Sequence, residues 1–204
     1  RVHVGPRIDL PGVALDLLWE QLGEKDRDHA VHHLILPAVK HLRTNDRRDS
    51  NWQTAHSAGL LAAGLLLGDQ ELSDFALNSP DHGLRRHMSV SFRSDGLHWE
   101  GSFGYHFYTL SNLLLAAEMA RRAGMDLYVE GDGVPHIKRM LDAPIRMAFP
   151  DMSLPVNNDS GSGSLTRMPQ VYELGYSRYR DPAYGWIIEK GDRSSRYALL
   201  FGEE

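Results

Sequence analysis

The chain has 204 residues, 42% of them hydrophobic and 24% charged, the composition of an ordinary globular domain able to bury a core. Its net charge of −5, a sequence pI near 6.1 and the lack of any long Lys/Arg run argue against nucleic acid as a partner, since neutralising phosphates calls for a basic face. Cysteine is absent, which excludes disulfides and thiolate zinc sites, and no apolar run reaches the ~20 residues of a membrane span.

Residues 1–11 lack the charged, apolar and cleavage regions of a signal peptide, and the abrupt start suggests a longer parent protein. Residues 13–22 read as a helix, with Leu15, Leu18, Trp19 and Leu22 at i, i+3, i+4 and i+7. A second helix is predicted over residues 26–42, its apolar stripe formed by Val31, Leu34, Ile35, Ala38 and Leu42, with Pro37 placed to kink it. Ser50 reads as the N-cap of a third, residues 51–67, which Gly68-Asp69 ends. Residues 60–67 are apolar nearly all round, so that helix belongs in a core. Shorter helices follow over residues 70–77 and 82–92, split by Asn78-Ser79-Pro80.

The run from Ser94 to Leu110 begins in the turn chemistry of Asp95-Gly96 and passes into a long helix over residues 103–124, closed by Arg121, Arg122 and Gly124. Another helix is expected over residues 135–149, with Pro135 at its start. Residues 152–164 are rich in Asn, Ser and Gly and read as an irregular loop too polar for a core element. Helices over residues 169–179 and 182–190 and a strand over residues 195–201 complete the chain. Paired helices with short loops and no βαβ alternation mean an all-α bundle or toroid.

Four clusters could carry chemistry. In the central run, His98, Trp99, Glu100, Tyr105, His106 and Tyr108 crowd a loop-to-helix junction, a place where scaffolds present reactive groups. Tyr105 can act as acid or base if its neighbours lower its pKa, and Tyr108 lies one turn further on; both can equally be half-buried anchors of the helix. At residues 50–56, Asn51, Trp52, Gln53 and His56 gather at a helix N-terminus, where amides and the helix dipole suit a carboxylate. A capping Ser, a core Trp and a satisfied His explain the same pattern. The run from Asn157 to Gly161, with Asn158 near its centre, is either a substrate loop or a set of Asx turns. His29, His32 and His33 beside Asp28 offer an i, i+4 histidine pair; no third metal ligand or H-E-x-x-H motif accompanies it, so a solvated face explains it and no metal is expected.

Three motifs carry a family resemblance. They are Asn51-Trp52-Gln53 with His56, the run Asp95-Gly96-x-x-x-Glu100-Gly101-x-x-x-Tyr105-x-x-Tyr108-x-Leu110, and the late segment from Tyr172-Glu173-Leu174 to Leu199-Leu200-Phe201-Gly202. In them the chain resembles the heparinase II/III-like and alginate lyase superfamily of polysaccharide lyases over about residues 45–202. The resemblance implies an incomplete (α/α) toroid of helical hairpins over residues 1–190, shortened at its N-terminus, and the first strand of a β-sandwich over residues 191–204. It implies β-elimination at a uronic acid of an acidic polysaccharide: a donor neutralises the C6 carboxylate, a base takes the C5 proton, and an acid protonates O4.

By the same resemblance Tyr105 matches the catalytic tyrosine, as acid and also as candidate base. Asn51 matches the carboxylate-binding position, with Gln53 nearby. Trp52 departs from members that carry His directly after that Asn, so the second proton carrier is His56 or a histidine outside this chain; His106 is a further candidate, although one residue after Tyr105 it faces elsewhere on a helix. His98, Glu100, His106, Tyr108 and Asn158 are then expected to orient these groups or contact sugar, and a phenol and an amide from separate helices to serve one ring. No cofactor is implied; a structural metal would belong to the sandwich domain. Two other readings stand beside this one. A glycoside hydrolase would use a carboxylate pair such as Glu100 with Asp159, or Asp95 with Asp159, roughly 5–10 Å apart. A carbohydrate-binding relative would have no catalysis at all.

Overall fold

A computed structural model describes residue 15 and residues 18–129, 137–194 and 198–199. These residues are mostly helical: α1 (Glu24–Ala30), a π-helical turn (Val31–Ile35), α2 (Leu36–Thr44), α3 (Asn51–Leu67), α4 (Gln70–Asn78), α5 (Leu84–Val90), α6 (Phe103–Arg122), α7 (Ile137–Met147), α8 (Pro169–Tyr179) and α9 (Pro182–Lys190). The chain is all-α, a series of helical hairpins of the kind from which α/α toroids are built. Of the predicted helix over residues 13–22, residues 15 and 18–22 are described: Leu15 and Leu18 are helical, whereas residues 19–22 form a turn and bend. The start of the helix predicted at Pro135 falls outside the described residues. So does the expected strand, except for Ala198 and Leu199, whose backbone is helical.

The chain divides into two compact units. The first comprises residues 1–90 and 115–127, the second residues 91–114 and 128–204, so α6 contributes to both. In the first unit α3 packs against α2, α4 and α5. Leu60, Leu61 and Ala63 of α3 meet a buried set from the shorter helices, among them Leu42, Leu72, Leu77, Leu84 and Met88. Burying each large aliphatic side chain contributes roughly 1.5–3 kcal/mol, and α3 has no exposed face over residues 53–61. Its ends are local: Gly68 takes the left-handed C-cap, and Asp69 caps α4 by accepting the Leu72 N–H at 2.9 Å. Ser50 sits at the N-cap of α3, but its hydroxyl makes no capping bond.

The expected kink at Pro37 is replaced by a wider turn. Proline lacks an N–H and its ring crowds the carbonyl four residues back. The chain answers with the π-helical turn, where the Leu36 N–H reaches the Val31 carbonyl five residues earlier. One extra residue per turn rotates α1 against α2, and the predicted stripe breaks. Ile35, Ala38 and Leu42 are buried, while Leu34 is 43% exposed.

In the second unit α7, α8 and α9 are bound by a polar and aromatic network. Tyr172 and Tyr184 are fully buried with ring centroids 5.5 Å apart. The Tyr172 hydroxyl donates to the Leu141 carbonyl (3.3 Å) and that of Tyr184 to Asp142 (2.5 Å). Lys138 bridges Asp142 and Asp181 at 3.2 and 2.7 Å. Residues 152–164 are less irregular than their composition suggests. Ser153–Leu154 (β1) pairs antiparallel with Gly163–Ser164 (β2), and Met152 and Leu154 are buried. The polar residues form the exposed bend between the two strands, so the segment is anchored at both ends.

Ahead of α6 the Asp95-Gly96 turn closes a small hairpin. Phe92 bridges His98, and the Arg93 N–H donates to the Leu97 carbonyl at 2.8 Å. Gly96 has φ +91°, and a Cβ there would overlap the Arg139 carbonyl oxygen of α7. Only glycine meets both demands.

Candidate active site

The Tyr105 cluster lies in the second unit. Tyr105 stands in the first turn of α6, half-buried, and its hydroxyl donates to a carboxylate oxygen of Asp159. The two residues flanking Asp159 grip the same stretch. The Asn158 amide donates to the Glu100 carbonyl at 2.9 Å, and the Ser160 hydroxyl accepts the Phe103 N–H at 3.1 Å and donates to Ser102 at 3.2 Å. Ser160 thereby satisfies an N–H that the helix cannot satisfy itself. Gly101 completes the fit, with φ +71° and an Asn158 nitrogen 2.5 Å from where its Cβ would be. Two clusters more than fifty residues apart in sequence are one structure. Asn158 therefore serves the loop contact through its amide.

The two histidines of the central run belong to the framework, which suits the orienting reading of His98 and leaves neither ring open to a sugar. His98 and His106 are fully buried. The His106 Nδ1 accepts the His98 N–H at 3.2 Å while its Nε2–H donates to the Met140 carbonyl at 3.1 Å. That pairing demands the neutral Nε2–H tautomer, because a second proton on Nδ1 would face an N–H donor. His98 Nδ1 accepts the Glu100 N–H at 3.4 Å, so it orients the backbone beside Glu100. Phe92 packs edge-on against both rings. Tyr108 is half-buried with its hydroxyl out of water, so it presents no polar tip to a sugar. Trp99, which the resemblance gave no role, is 44% exposed, and Glu100 is partly exposed.

The Asn51 cluster lies in the first unit. Asn51 is the first residue of α3 and only 6% exposed, and its side-chain amide makes no hydrogen bond among the described residues. Gln53 is corrected from substrate contact to structural tie. It is buried, its carbonyl accepts the Arg47 N–H at 2.9 Å and its NH2 donates to Ser57 at 3.3 Å. Trp52 is half-buried with the Arg47 guanidinium 6.0 Å from its ring centroid. His56 is 2% exposed, and its Nδ1 has no hydrogen-bond partner among the described residues.

The His29 and His33 rings lie 4.4 Å apart at a surface depression of about 550 Å³, which Lys25, Asp26, Asp28 and His32 also line. Among the described residues no group of three or more His, Asp or Glu side chains is arranged to hold a metal.

Residues 29–182 match the family model of the heparinase II/III N-terminus. The chain belongs to that family. No curated protein matches it. The heparinase II/III match spans both clusters, from Asn51 to Ser160, and by family it points to polysaccharide lyases and a polysaccharide substrate. Among the described residues no helix of this heparinase II/III domain is long and apolar enough to cross a membrane.

Charge states in the heparinase II/III domain follow from burial. Desolvation, then the nearby Arg47 and His41, lowers the His56 pKa to about 4. Burial, then Arg86, lowers His87 to about 4, and burial, then His98, takes His106 to about 3. All three are held neutral in the folded state. The unfolded chain binds their protons near pH 6.5, so stability is fully present above that pH and is lost as pH falls toward 4. Each group contributes a slope on the order of 1 kcal/mol per pH unit within that window. Urea midpoints measured from pH 8 to 4 should be level above about 6.5 and fall below it. A level profile down to pH 4 would mean that these imidazoles are hydrated in the fold.

Tyr105 moves in the opposite sense from the sequence expectation. Its hydrogen bond to Asp159, then the charge of that carboxylate, raises its pKa above 10. Glu100 adds to the effect. The phenol is held protonated.

Proposed function

We propose that this heparinase II/III domain carries the acid and the carboxylate-binding amide of a polysaccharide lyase that cleaves a uronate polymer by β-elimination. The observation that supports it most is Tyr105, a partly exposed phenol at the start of α6 whose proton is retained by Asp159. Asn51 supplies an amide that no hydrogen bond commits among the described residues, at the N-terminus of a 17-residue helix, where the positive end of the dipole favours a carboxylate. Neutralising the C6 carboxylate makes the C5 proton acidic, and preorganised donors stabilise the resulting enolate without covalent chemistry.

The roles divide accordingly. A base removes the C5 proton, and its bonding pair becomes the C4–C5 double bond. The C4–O4 pair leaves on O4, which takes the proton of Tyr105. A tyrosine beside a carboxylate suits the acid and not the base. His56, buried and with a pKa lowered to about 4, is a weak proton acceptor at neutral pH, so the base is assigned to a histidine other than His56.

The test is to mix the full chain with alginate, heparan, hyaluronan and ulvan and follow the ultraviolet absorbance of the unsaturated uronate. Growth of that band with one or more of them is the expected result. New reducing ends without the band would mean a hydrolase. Binding without either product, unchanged in Tyr105→Phe, would mean a carbohydrate-binding relative.

A further inference from the structure

We propose that Asp159 is the positioning residue of Tyr105, fixing the phenol's orientation and confining it to the role of general acid; this rests on the elimination reading above. Three consecutive residues of the loop between β1 and β2 hold three successive points of the α6 entry. Asn158 holds the Glu100 carbonyl, Asp159 the Tyr105 hydroxyl and Ser160 the Phe103 N–H. A loop that only needed anchoring is already anchored by the outer two and by its strand pair. The middle residue instead spends its carboxylate on the one group assigned to proton transfer. The segment is also exposed, with Asp159 open to solvent, so the pair lies where a polymer can reach it.

The chemistry is set by the groups that face the phenol. The acidic groups acting on it are Asp159 from the loop and Glu100 from the segment ahead of α6. At rest the hydroxyl proton points to Asp159. In the elimination the O–H bond breaks, the proton goes to O4 and the electron pair stays on the phenolate. That phenolate then faces two carboxylates, so it takes a proton from water rather than persisting to act as a base. The substrate-derived proton returns to solvent from the separate base, and the enzyme is restored.

The experiment compares the full chain with Asp159→Asn and Asp159→Glu, using the uronate polymer on which it is most active. Tyr105 ionisation is read by ultraviolet difference titration against the matching Tyr105→Phe background, which needs no activity. In Asp159→Asn, Tyr105 should ionise at lower pH, and the alkaline limb of kcat should move down with it. Turnover should fall about 10- to 100-fold with KM within about 3-fold. Asp159→Glu, which keeps the charge, should retain the alkaline limb. An unchanged Tyr105 titration in Asp159→Asn would overturn the proposal. Loss of the limb in Asp159→Glu as well would also overturn it, because loop geometry and not charge would then be responsible. If no polymer gives unsaturated product while the Tyr105 titration still moves, the elimination reading fails and takes the catalytic role with it, although the pair itself stands.

Discussion

Tyr105→Phe should lower turnover on a uronate polymer by about 10²- to 10⁴-fold, the usual contribution of a positioned proton donor. The substitution removes one oxygen and leaves the ring. That ring sits half-buried at the start of α6, and its hydroxyl donates to the exposed Asp159 carboxylate, its one partner among the described residues. Folding should therefore be almost untouched, with a melting temperature within a few degrees of the parent's. The loop keeps its other two grips, from Asn158 and Ser160. Loss of activity with an intact fold would thus isolate the proton. Retained turnover in Tyr105→Phe would remove the phenol from the mechanism, whatever the family.

Asn51→Ala should be nearly as costly, with kcat down by about 10²- to 10³-fold and a much smaller change in KM. The reasoning is electrostatic. The amide lies at the end of α3 where four backbone N–H groups lack intrahelical partners, and Ser50 does not cap them. A donor preorganised there gains most from the charge that develops as the C5 proton leaves, so its removal should fall on the transition state. Losses of equal size in binding affinity and in kcat/KM, with kcat unchanged, would instead mark Asn51 as a ground-state contact. Gln53→Ala is the informative neighbour. Its amide ties Arg47 to Ser57, so its effect should appear in stability and not selectively in kcat.

The helices could be read because their causes are local. Gly68 and Asp69 end α3 and begin α4 through bonds spanning three to five residues, and the starts of α8 and α9 at Pro169 and Pro182 use the same short-range chemistry. The family resemblance was legible for a related reason, since the motif from Asp95 to Leu110 is contiguous. Reading failed where a side chain's partner is distant. His98 and His106 have the composition of an active site, yet His106 spends both nitrogens on the framework, one of them on Met140 of α7. Gln53 beside Asn51 has the same chemistry as its neighbour, and a backbone N–H six residues earlier decides that it is structural. Leu34 belongs to a faultless helical stripe until the π-turn before Pro37 changes the phase.

By itself the sequence determined that the chain is all-α, where most of its helices begin and end, its heparinase II/III membership, and which polar residue types its clusters hold. All of these rest on periodicity, caps and contiguous motifs, whose interactions close within about a turn of helix. Tertiary structure alone decided which polar side chains are already committed to the framework and which are exposed. It alone set Tyr105 against Asp159 across fifty-four residues of chain, because the protonation of a phenol depends on the charge beside it in space and no spacing in the sequence encodes that.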